Sequence, residues 1–244
     1  MPSAIGDDGI DPQTGLPEPS PNVPTPRERF VELAAGAVGL GVGPGRNRER
    51  YLDLVSRYVP DYLAHLSHEG RTEYATISAC GLLVRGLLLE AGLRHPLLDP
   101  LPAPEPEGAG VAMLRALAAD AGALLEPQAR GPGPCASLGR SVLCSPSCNG
   151  ARPGDLIFSD PKKPHVAVVL PPPPNARPTG PETVRLWTLD GGQREGHPLG
   201  PQWAQRTYRA WTFDHERHCW RSIGGELIGW VDFDALAAAC GVTS

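Results

Sequence analysis

Residues 154–170 read Gly-Asp-Leu-Ile-Phe-Ser-Asp-Pro-Lys-Lys-Pro-His-Val-Ala-Val-Val-Leu. A turn at Arg152-Pro153-Gly154 leads into a short apolar run, Asp155 to Phe158. A loop carrying Pro and Lys separates it from a second run that opens with His165 and closes at Leu170. Two such runs joined by turn residues predict a β-hairpin, with the imidazole at the edge of the second strand facing a cleft. Three more runs follow, Thr183 to Leu189, Arg206 to Phe213 and Glu226 to Val231, rich in Val, Ile, Trp and Tyr. Their short connections favour antiparallel pairing.

Upstream of this block the period changes from strand-like to helical. Thr25-Pro26-Arg27-Glu28 is a capping box with Pro at the first helical position, which predicts a helix to about Val38. Gly39 to Gly45 breaks it, and Arg48 to Leu66 resumes helical spacing with a kink at Pro60. A third helix, Ser78 to Ala91, is apolar on nearly all sides, and a fourth runs from Gly110 to Leu125. Residues 127–153 are Gly, Pro, Cys and Ser with no period. Helices first and strands second predict an α+β fold in which N-terminal helices pack on a C-terminal antiparallel sheet. The proline-rich stretch 1–24 has too little apolar surface to offset its ordering entropy and is expected to be a disordered leader, with residues 25–244 forming a single domain.

Composition narrows the function classes. The 244 residues hold 22 Lys plus Arg against 27 Asp plus Glu, a net charge of −5, which argues against a surface built to attract nucleic acid or anionic membrane. Arg85 and Glu90 interrupt the most hydrophobic stretch, Ile77 to Leu93, so no run reaches the roughly 20 apolar residues of a membrane span. The N-terminus lacks the basic, apolar, small-residue order of a secretory signal, so the compartment stays open between the cytoplasm and export by a non-classical, phage or secretion-system route or through a lost leader. A monomer without cofactor is expected. Six cysteines are too sparse for a disulfide-stapled domain. Cys135, Cys144, Cys148, His215, His218 and Cys219 include no C-x-x-C pair, so no metal site is expected, and a disulfide among the first three or free thiols both remain open.

Chemistry concentrates in three segments. In Ser78-Ala79-Cys80-Gly81, capping by Ser78 would put Cys80 in the first helical turn, where unsatisfied N–H groups and the helix dipole favour a thiolate. Gly81 leaves space beside the sulfur for a substrate carbonyl. A cysteine on a buried helix is also a common core residue. His165 has the position of a general base toward a thiol, or of an exposed hairpin histidine. In Leu186-Trp187-Thr188-Leu189-Asp190-Gly191-Gly192-Gln193, Asp190 is placed to accept an imidazole N–H, or simply to begin an Asp-Gly turn. Gln193 and Trp187 are further cleft candidates. The Cys80 backbone N–H, with Tyr74 or Thr76 just upstream, are the candidates for holding an oxyanion. Arg206, Arg209, Arg217 and Arg221 read as a solvated face.

Cys80 at a helix start, the Pro-Gly-Asp-Leu-Ile-Phe to His-Val-Ala-Val-Val pair and the later Leu-Asp-Gly-Gly-Gln together resemble the CHAP and NlpC-type cysteine amidases and peptidases, a branch of the papain-like fold. The resemblance runs with gaps from about Phe30 to Phe233 and is strongest over Gly154 to Leu170. It implies a papain-like arrangement with Cys80 as nucleophile, His165 as base and Asp190 as the group that orients it. It further implies hydrolysis of an amide bond in a peptide or in the peptidoglycan of a cell wall. An acyl- or peptidyl-transferase using the same residues, and a noncatalytic binding module with an inert Cys80, are the alternatives.

Overall fold

The computed structural model describes residues 23–56, 80–99, 109–127, 142–143, 151–159, 164–175, 183–194, 202–217, 219–222 and 225–242. Helix α1, Pro26–Gly36, starts as its capping box dictates: the Thr25 hydroxyl accepts the Glu28 N–H at 3.2 Å and the Glu28 carboxylate accepts the Thr25 N–H at 2.8 Å. Helix α2 is Arg48–Ser56, the described part of α3 is residues 80–90, α4 is Ala109–Asp120 and α5 is Phe233–Ala239, with a 3-10 turn at Pro96–Leu98. The strands are β1 Leu124–Pro127, β2 Val142–Leu143, β3 Leu156–Ser159, β4 His165–Leu170, β5 Thr183–Arg194, β6 Gln202–Asp214, β7 Cys219–Ser222 and β8 Gly225–Val231. The predicted leader, the chain from 57 to 79 and most of 128–150 lie outside the described residues.

Strands β3 to β8 pair in the order β8-β3-β4-β5-β6-β7, every pair antiparallel, and β7 pairs again with β8. The sheet therefore closes into a six-stranded barrel, and the papain-like expectation of helices packed on an open sheet is corrected. The physical reason is visible in β4, whose residues from Val166 to Leu170 are all buried. Val166, Val168 and Leu170 join a cluster with Phe30, Leu54, Leu83, Leu87 and Phe233 of the helices. Ala167 and Val169 join a second cluster with Ile157, Val184, Trp211, Phe213, Trp220 and Trp230. One layer of helices can cover only one face of a sheet, and wrapping the sheet on itself hides the other. Register shifts at Phe158/Ser159 and at Asp190/Gln193 supply local bends that help the strands curve.

Two tethers set the site's frame. Arg27 of α1 donates to Asp155 at 2.8 Å, to the Pro153 carbonyl at 2.7 Å and to Asp234 at 2.8 Å, joining α1 to the turn before β3 and to the start of α5. Asp155 is buried and also accepts the Phe233 N–H at 3.1 Å. The entry to the β3–β4 hairpin, whose second strand opens with His165, is thus clamped. Helix α3 is held against α2 through Gly86, where an added Cβ would sit 2.1 Å from the Leu54 carbonyl oxygen. No helix among the described residues is long and apolar enough to cross a membrane.

Other differences are local. The segment Leu124–Pro127 is strand β1, not the end of the fourth helix, because that helix stops before Gly122, which has φ 62°. Strand β1 pairs with β8 antiparallel and with β2 in parallel. Strands β2 and β7 and helix α5 have no counterpart in the sequence expectations, β2 falling in the stretch 127–153 expected to be irregular.

Candidate active site

The pairing register builds the site. Asp190 of β5 lies directly opposite Ala167 of β4, so it shares a face of the sheet with Ala167 and, two residues earlier on that strand, His165. The His165 Nε2 meets Asp190 Oδ1 at 2.5 Å. Thr188, on the same face of β5, donates its hydroxyl to Asp190 Oδ2 at 2.5 Å, and Arg209 of β6 donates from Nη2 to Oδ1. Asp190 is fully buried. Burial by itself opposes its ionisation, but the hydrogen bond to His165 and the charge of Arg209 outweigh that cost and hold its pKa down at about 2.

With Nε2 given to Asp190, Nδ1 is the ring nitrogen that remains for a second partner. Cys80 of α3 lies against the ring: hydrogen bonding with His165 and the charge of the imidazole act on its side chain, as do the N–H groups of Val166 and Gly81. Burial raises the pKa of the thiol, while the imidazole and the two N–H groups lower it by more, so the net shift is downward. His165 moves the other way. Its burial disfavours charge, but the bonds to Asp190 and Cys80 raise its pKa to about 9. A thiol with a lowered pKa beside an imidazole with a raised one is an arrangement for a thiolate–imidazolium pair.

The structure thus brings Cys80, His165 and Asp190 into one hydrogen-bonded chain. Gly81 stands beside the sulfur, yet its missing side chain serves packing as well, since a Cβ there would lie 3.0 Å from the Gly110 carbonyl carbon of α4. Gln193 is on β5 opposite Trp203, just past the bulge after Asp190. Trp187 lies away from the chain of three, half-buried, its ring centroid 5.1 Å from that of Tyr208 and its face under Arg206. Tyr74, Thr76 and Ser78 fall outside the described residues, as do Cys135, Cys144, Cys148 and His218. Among the described residues no group of three or more His, Cys, Asp and Glu has a metal-holding arrangement.

Three groups at the site were not expected there from the sequence: Thr188, which holds Asp190 Oδ2, and Arg209 and Tyr51. Arg209, expected on a solvated face, is turned toward Asp190. The period of two offers a sign of this, because Arg209 and Trp211 must share a face of β6 and Trp211 is completely buried. Tyr51 of α2 is buried, near both the Gly192 N–H and Cys80, and its hydroxyl closes no hydrogen bond of good geometry among the described residues. Burial raises its pKa, so it is a neutral donor. Its place in an apolar helical stripe with Leu54 and Val55 marks it in sequence only as core.

Comparison of the chain with protein-family models, with curated proteins and with solved structures finds no match.

Proposed function

We propose that the protein is a thiol-dependent amidohydrolase or peptidase in which Cys80 is the nucleophile, His165 the acid–base group and Asp190 the residue that orients and charges it. The observation that carries this reading is the hydrogen-bonded chain from the Cys80 sulfur through the imidazole to a fully buried carboxylate. A core cysteine needs no imidazole, and a turn aspartate needs no burial.

In the proposed cycle the Cys80 thiolate attacks an amide carbonyl carbon, forming a C–S bond while the π electrons move to oxygen. The tetrahedral oxyanion is met by neutral donors, for which the Tyr51 hydroxyl and the Cys80 backbone N–H are the candidates. The intermediate collapses, the C–N bond breaks, and His165 gives its proton to the departing nitrogen. The neutral imidazole then takes a proton from water, whose oxygen attacks the thioester. A carboxylic acid and the thiolate are released with the imidazolium restored.

The resemblance over Gly154 to Leu170 directs the substrate test to peptidoglycan stem peptides. Purified protein incubated with muropeptides is expected to yield one new amine and one new carboxyl terminus by mass spectrometry. Cys80→Ala is expected to lower turnover at least about a thousandfold, as loss of a covalent nucleophile does. Full turnover by Cys80→Ser would sink the proposal. Supplying an amine acceptor in place of water tests the transferase alternative, in which a new amide accumulates instead of the acid.

A further inference from the structure

His165 and Arg209 hydrogen-bond the same oxygen of Asp190, Oδ1. Asp190 is 0% exposed. A carboxylate withdrawn from water stays ionised only while positive charge and donors surround it. Acyl transfer asks His165 to be cationic when the thiolate attacks, and neutral once its proton has gone to the leaving amine. At that second stage the imidazole no longer supplies charge to Asp190. The guanidinium, which does not deprotonate in proteins, supplies it at both stages. Thr188 adds a donor at Oδ2 but no charge.

We propose that Arg209 is a positioning residue that keeps Asp190 ionised in both protonation states of His165, so that the imidazole and not the carboxyl is the group that takes up and releases the proton. Its purpose rests on the acyl-transfer reading; its geometry does not. Among the described residues, the titratable groups facing this centre are Cys80 from α3, Tyr51 from α2, Asp190 from β5 and Arg209 from β6.

Removing the guanidinium has two effects of one sign. His165 loses a neighbouring cation that opposed its own charging, and Asp190 is left, among the described residues, with the imidazolium as its counter-charge. Both bind the imidazole proton more tightly. Hydrolysis of the thioester needs the neutral imidazole, so that step slows most, and in Arg209→Gln kcat falls more than kcat/KM while acyl-enzyme accumulates.

The deciding experiment follows the His165 ring nitrogens and the Asp190 carboxyl carbon by NMR from about pH 6 to pH 11 in the parent protein, Arg209→Gln and Arg209→Lys. In the parent, Asp190 is expected to keep its ionised chemical shift while His165 titrates. In Arg209→Gln the His165 midpoint is expected to rise by about one pH unit, a tenfold gain in proton affinity, and Arg209→Lys to return it to within about threefold of the parent. The proposal is overturned if the parent's Asp190 takes up a proton as His165 loses one, or if a folded Arg209→Gln titrates His165 as the parent does. Should Arg209→Gln fail to fold, the parent titration alone decides. None of these readings uses turnover, so a protein that cleaves no amide leaves this result standing, and the reverse also holds.

Discussion

The charge on Cys80 and the proton on His165 depend on each other, and the pH dependence of the site follows from that coupling. Thiolate and imidazolium are present together only above the lowered thiol pKa and below about 9, where His165 loses its proton. A plot of kcat/KM against pH is therefore expected to be bell-shaped. Its acid limb should lie below that of an ordinary free thiol, and its alkaline limb near the His165 value. Stability carries the matching signs. Asp190, depressed to about 2, contributes above its unfolded value and loses that contribution as pH falls through about 2. His165, raised to about 9, contributes fully below its unfolded value and loses that contribution as pH rises through about 9. A single alkaline limb near an unperturbed histidine value would contradict the burial and pairing of this ring. His165 was legible because it opens a strand, and Cys80 and Asp190 because a small-residue segment and an Asp-Gly-Gly run flag them locally, although Asp190 lies inside β5 before a bulge and not at the strand end and turn that the sequence suggests. Arg209 and Tyr51 were not, because their approach to the site depends on the β5–β6 register and on how α2 crosses α3.

Among the elements, α3 governs the site, since it carries the sulfur and is wedged by glycine at two places. At Gly86 the neighbour is backbone, the Leu54 carbonyl of α2, which has no rotamer by which to retreat. Gly86→Ala is expected to destabilise the fold by about 1–3 kcal/mol, read as a lower urea midpoint at unchanged m-value, and to shift α3 relative to His165. The same residue in a freely exposed helix would gain stability from alanine, so the sign of the change is diagnostic. Helix starts were readable here because capping is local chemistry, as Thr25 and Glu28 show. The boundary between α4 and β1 was not, because Leu124 and Leu125 continue an apolar helical pattern and only the left-handed turn at Gly122 ends it.

At the scale of the molecule, closure of the barrel decides which aromatic rings are walled in. The sequence shows five strand runs, each of which is a strand, but β5 runs on past the expected Leu189 to Arg194 and β6 begins at Gln202 and not Arg206. It does not show that β7 returns to β8, because closure depends on pairing between distant segments and on bends at Phe158/Ser159 and Asp190/Gln193. The distinction is measurable. Trp211 is 0% exposed inside the barrel, so Trp211→Ala is expected to cost about 3–5 kcal/mol in urea unfolding, whereas an open sheet with that face in water would lose far less. The tryptophans Trp187, Trp203, Trp211, Trp220 and Trp230 all lie on β5 to β8, and none lies on a helix. Tryptophan emission, excited selectively above the tyrosine band, therefore reports on the strand half alone, while far-ultraviolet dichroism is dominated by the helical half. Comparing the two signals through one melt reports directly whether the halves come apart together or in succession.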